Sequence, residues 1–151
     1  MGFRFSLATV LRFRESLEKR EELAVQATQL EAARVRRLAQ EMAAKIARKH
    51  EVLESTMQGM LKASVLQLML SELNEAVEER KVLLLNLEIL QRKHKEQLKS
   101  YRVAHNRRQM LTDMLTQQRT AYEQKQLRAD QKLLDDIFSA RSQQNSRNSQ
   151  F

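Results

Sequence analysis

Three histidines, His50, His94 and His105, are the only imidazoles in the chain, and there is no cysteine. A metal site needs ligands that converge, either two histidines four apart on a helix face or Glu-x-x-His motifs opposite further glutamates. Neither spacing occurs here. His94 and His105 instead share a helical track with Leu98 and Tyr101, which reads as polar layers that set register rather than as ligands. Asp135 and Asp136 offer paired carboxylates, yet neighbours on a helix diverge by about 100°, so they do not meet on one substrate. Two glycines are too few to build a phosphate-cradling loop. No catalytic residue, cofactor or metal is expected, and the chain reads as a non-enzyme.

The sharpest charge asymmetry lies between Arg92 and Arg108. Arg92, Lys93, Lys95, Lys99, Arg102, Arg107 and Arg108 are opposed only by Glu96. Such a stretch serves as a solvated coiled-coil face, as a dock for an acidic protein, or as a phosphate-contacting stripe. The first use is favoured, because the cations spread round the helix and Tyr101 alone is available for base stacking. The net charge of +8 divides evenly about residue 65. Neither end is therefore a simple basic or acidic tail, although the surplus suits an acidic partner.

The elements that carry these residues follow from what never interrupts them. The chain has no proline, and Gly59 is its only interior glycine. Glu, Gln, Arg, Lys, Leu and Ala lose little freedom in a helix, so the composition specifies helix almost end to end. Few aromatics and no tryptophan favour a narrow seam over a thick core. No apolar run approaches the roughly 20 residues needed to span a bilayer, and, with no secretory h-region near Met1, no leader is expected. Ser6 is the expected cap of the first helix, with Thr9 a second candidate. The first track runs Leu7, Val10, Leu17, Ala24, Val35, Leu38, Met42 and Ile46, with polar residues such as Thr28 on it and a stutter after Val35.

Gly59 marks the expected break. The fold class predicted is all-α: two long helices in an antiparallel coiled-coil hairpin over residues 1–141. Helix one covers about 6–58, the turn about 59–65 and helix two about 66–140, and the polar tail 142–151 is expected to be disordered. The second helix tracks through Leu66, Leu70, Leu73, Val77, Leu84, Leu87, His94, Leu98, Tyr101, Leu115, Tyr122 and Leu133. It is the longer arm, so its end projects past the first helix or packs on its start. One continuous helix that dimerises is the rival arrangement. Met57, Met60 and Met69 cluster round the break, suited equally to an adaptable surface or to filling the seam.

The two ends carry a resemblance. Phe3-Arg4-Phe5-Ser6-Leu7-Ala8-Thr9-Val10-Leu11-Arg12-Phe13-Arg14-Glu15 resembles the Phe-x-Phe-x-Leu opening of the FliJ family of flagellar type III export proteins. Asp130 to Ile137 is similar to that family's C-terminal segment, and Leu66 to Val77 to the start of its second helix. Leu66 and Met69 depart from the family pattern, which favours aromatics there.

The resemblance implies a stalk-like hairpin with partners and no chemistry of its own. Those partners are a hexameric flagellar export ATPase, the cytoplasmic domain of the export-gate membrane protein, and export chaperones. The location implied is cytoplasmic, peripheral to the inner membrane at the flagellar base. Candidate ATPase contacts are Arg4, Phe5, Leu7, Val10, Leu11, Arg14, Leu133, Leu134, Ile137 and Phe138, whose apolar members are expected to lie together at one tip. Met69, Leu73, Ala76 and Arg80 share one helix face and are candidate gate contacts, with seam packing as the plainer reading. The equivalent stalk of an injectisome and a homodimeric scaffold remain alternatives, as does a rod that binds nucleic acid or membrane surfaces through residues 92–108.

Overall fold

A computed structural model describes residues 2–149. It contains two helices, α1 (Ala8–Met57) and α2 (Ala63–Asn148). The break falls where Gly59 predicts it. Ser55 and Thr56 prepare the end of α1, because both hydroxyls donate back to the Val52 carbonyl, at 3.0 and 2.5 Å. Such local bonds compete with the helical ladder. Gly59 N then donates to the Thr56 carbonyl at 3.1 Å. Gly59 does not adopt a positive φ, so its role here is the absence of helix propensity rather than access to left-handed backbone.

Three expectations about the ends are corrected. Ser6 makes no hydrogen bond among the described residues. The first turn is closed by backbone alone, with Ala8 N donating to the Phe5 carbonyl at 3.2 Å and Leu11 N to Leu7 at 2.8 Å. Helix two starts at Ala63 rather than near 66, held by Val65 N and Leu66 N on the Lys62 carbonyl at 3.1 and 3.2 Å. The tail continues as helix through Asn148. Nothing in its sequence breaks the ladder, and the hydroxyls of Ser146 and Ser149 fold back onto the carbonyls of Ser142 and Asn145. Gln150 and Phe151 lie outside the described residues.

The chain divides into two compact units. One is the continuous stretch Leu17–Ala104, which holds the turn. Its buried residues are Thr28, Ala32, Val35, Ala39 and Leu53 from α1, and Leu73 and Ala76 from α2. Between them on α1, Met42, Ile46 and Lys49 are half-buried. From Thr28 to Leu53 the covered positions therefore step by four and three without a break, a regular heptad seam. The expected stutter is absent because the seam runs through Ala39 (5% exposed) and leaves Leu38 (37%) at its edge. A small side chain at the centre lets two backbones approach closely, and the larger neighbour then packs beside the contact.

Two side-chain pairs cross this unit. Lys49 Nζ meets Glu72 Oε2 at 3.0 Å, and Thr28 Oγ1 hydrogen-bonds Gln97 Oε1. The partners are 23 residues apart nearest the turn and 69 apart further out, the pattern a reversal of chain direction produces.

The second unit combines the N-terminal residues through Ser16 with the α2 segment from His105 onward. There Phe3, Phe5 and Leu7 are half-buried while Arg4 and Ser6 are exposed. Residues 2–5 are non-helical, and alternation is what an extended chain gives when one side lies on a surface. Once α1 begins, the covered positions become Leu7, Ala8, Leu11 and Arg14, which is helical spacing.

Candidate interaction surface

The N-terminal Phe-x-Phe-x-Leu stretch is placed by that change from period two to helical period. Phe3 packs its ring against Tyr122, with centroids 5.6 Å apart and planes tilted by 48°. This tilted geometry suits the quadrupoles of two rings. Phe13 stays exposed and carries the Arg14 guanidinium 6.0 Å from its centroid. On the α2 side of the same unit, the Arg108 guanidinium reaches His105 Nδ1 at 3.3 Å, Gln109 Oε1 at 3.1 Å and Thr112 Oγ1 at 3.4 Å. His105 is half-buried on this segment.

Cover within the chain ends at Tyr122. From Glu123 to Ser149 every residue is exposed. That segment nevertheless carries several large apolar side chains. At 100° per residue, Leu127, Leu134 and Phe138 share one face, with Leu133 and Ile137 along its flank. Arg128, Lys132, Asp135 and Asp136 occupy the other side, while Asp130 and Arg141 stand between Ile137 and Leu134 on the apolar arc itself. Phe138 is 67% exposed and Leu127 68%. Five large apolar side chains on a bare helix are a surface that lacks a partner.

The structure separates two groups that the sequence places together. Phe5, Leu7, Leu11 and Arg14 are half-buried near the Phe3–Tyr122 contact, with Arg4 and Val10 exposed. Leu133 stands about 16 Å further along the helix than Tyr122, and Phe138 further still. The apolar ends therefore do not form one cluster, because α2 outruns the N-terminal segment. Sequence reasoning passed over Leu127, although its spacing of seven from Leu134 carries the signal.

The second candidate set divides in the same manner. Leu73 and Ala76 are 7% and 3% exposed and belong to the seam, Met69 is half-buried, and Arg80 is exposed. Only Met69 and Arg80 present side chains to a partner while the seam is closed. His94, the other polar residue predicted on the track, is half-buried with Nδ1 enclosed and unpartnered. It faces a gap lined also by Gln29, Ala32, Ala33 and Arg36. No group of metal-ligating side chains converges among the described residues, and none of the helices there is long and apolar enough to cross a membrane.

Taken together these features define an all-helical chain of two long helices, with its apolar surface arranged along helix faces. No family model, no curated protein and no solved structure matches this chain.

Proposed function

We propose that this chain is an antiparallel coiled-coil hairpin serving as the stalk component of a flagellar type III export apparatus, in the manner of FliJ. The observation that carries the reading is the uncovered helical segment from Glu123 onward with its exposed apolar side chains, in the same unit as the Phe3–Tyr122 contact. A helix end that buries nothing of its own, yet displays Leu127, Leu134, Ile137 and Phe138, is suited to insertion into a hexameric ATPase. Arg4 and Arg14 supply positive charge for an acidic collar round that insertion. Rotation or tilting of a stiff asymmetric helix then biases the states of the hexamer without chemistry by the stalk.

The N-terminal motif supports the same reading. Met69 and Arg80 are the residues left to contact the export gate, since Leu73 and Ala76 are held in the seam. Export chaperones are further partners, and the location is the cytoplasmic face of the inner membrane at the flagellar base.

The test is stimulation of a cognate export ATPase. Full-length protein raises the hydrolysis rate. Phe138→Asp with Leu134→Asp abolishes the effect while leaving the helical circular dichroism and melting of residues 17–104 intact. An ATPase indifferent to the full-length chain overturns the reading. A response confined to an injectisome ATPase transfers it to that system.

A further inference from the structure

The export reading leaves one surface unused. Leu68, Val82, Ile89 and Val103 are spaced by multiples of seven, and Leu85 stands one step of three from Val82. All five are at least half exposed, Val82 at 64% and Ile89 at 63%. On average they lie about 130° round α2 from the covered track through Leu83, Leu87, Leu90 and His94. The helix therefore carries a second, outward apolar strip on which Glu75 and Glu96 fill the intervening heptad positions. Along the earlier part of this face, from Gln67 to Leu83, runs a shallow, widely open depression. The open groove there is lined by residues of α2 alone, among them Leu70, Ser71, Glu75, Glu78 and Val82.

Charge is distributed unevenly about the centre of this seam. On one side stand Glu72, Glu75, Glu78 and Glu79. On the other stand Arg92, Lys93, Lys95 and Lys99, with only Glu96 among them. Some of these are neutralised inside the chain, as in Lys81–Glu78 at 2.7 Å, Arg92–Glu88 at 2.5 Å and Lys99–Glu96 at 3.1 Å. Glu75, Glu79, Lys93 and Lys95 make no ion pair among the described residues.

We infer that this face binds a second copy of the chain, the two α2 helices running antiparallel about a two-fold axis near Leu85 and Asn86. A two-fold interface uses one patch twice, so the patch must complement itself. Reversal about Leu85 does this. Val82, Leu85 and Ile89 of both copies form the apolar centre. The acidic stretch 72–79 of each copy comes level with the basic stretch 92–99 of the other, whose outward face enters the acid-lined groove. Glu75 and Glu96 are the one like-charged pair brought to the same level, and Glu96 already holds Lys99. Parallel pairing along the same seam sets acid on acid and base on base, which disfavours it. An apolar strip of heptad spacing supplies affinity, and the charge gradient supplies direction.

The experiment uses the full-length chain and reads its mass by light scattering and sedimentation. The wild type is a concentration-dependent dimer. Ile89→Asp, an exposed substitution, is a monomer with unchanged helicity. Glu78→Lys with Glu79→Lys weakens the dimer by about tenfold or more, as does Arg92→Glu with Lys93→Glu, because Glu78 comes level with Lys93 and Glu79 with Arg92, so each change sets like charges level. Combining all four restores most of the affinity.

Orientation is read separately by oxidising single-cysteine variants. Leu85→Cys cross-links to itself, whereas Leu68→Cys does not, since its two copies lie far from the axis. A wild type that stays monomeric overturns the inference. So does failure of the fourfold variant to recover, or self-linking at position 68. None of these readouts involves an ATPase, so this inference and the export reading stand or fall separately.

Discussion

Thr28 and Gln97 hydrogen-bond to one another across the seam between α1 and α2, and Thr28 is the buried polar residue at the end of the seam far from the turn. The hydroxyl also lies 3.1 Å from the Ala24 carbonyl, and its single proton serves one acceptor at a time. The two partners are therefore unequal. Without Gln97, Thr28 still has a backbone acceptor. Without Thr28, Gln97 keeps a half-buried amide with no partner from α1. Thr28→Val is expected to cost about 1–2 kcal/mol and Gln97→Leu less, while the double variant recovers part of the loss. Urea unfolding of the four proteins measures this, and equal costs for the two single changes would remove the asymmetry.

Leucines of the two helical regions are expected to respond in opposite ways. Leu73→Ala removes a side chain that is 7% exposed and costs about 2–5 kcal/mol through lost transfer energy and the cavity left behind. Leu134→Ala, on the uncovered segment, changes stability by less than about 0.5 kcal/mol. Thermal melts separate the two.

Gly59→Ala is expected to be neutral or stabilising by up to about 1 kcal/mol. A methyl there meets only the Thr56 carbonyl oxygen at 3.7 Å, and the backbone holds no positive φ. Removing glycine narrows the unfolded ensemble. A loss above about 1 kcal/mol in denaturant would show that the turn needs a conformation only glycine adopts.

Hydrogen exchange is expected to grade sharply along α2. Amides from Glu123 onward are hydrogen-bonded but covered by nothing else, and uncovered helix opens with little cost. They should exchange orders of magnitude faster than amides near Ala76. Uniform protection along α2 would contradict this. Addition of a partner that covers Leu134 and Phe138 should slow the fast set selectively.

Composition made the helices legible, and the lone Gly59 located the turn between them. Which of two adjacent apolar residues faces the seam was not legible, as Leu38 and Ala39 illustrate. Hydrophobicity favours leucine, whereas the packed seam takes alanine to bring the backbones close. The capping role assigned to Ser6 failed for a related reason, since propensity names a suitable residue without supplying the backbone geometry. At the surface, the gradient from Glu72 to Lys99 was present in the sequence as an isolated basic stretch. It becomes informative once Val82, Leu85 and Ile89 are seen to face outward beside it.

The widening separation between cross-seam partners has a consequence for how the protein is made. Lys49 waits 23 residues for Glu72, but Thr28 waits 69 for Gln97. At about 5–20 residues per second on the ribosome, Thr28 emerges roughly 3–14 s before its partner exists. During that interval the seam of α1 is open to other proteins in its surroundings. Closure begins beside the turn, where the loop to be ordered is shortest, and proceeds toward the older end of the nascent chain. Residues of α1 far from the turn are thus sheltered later than those beside it.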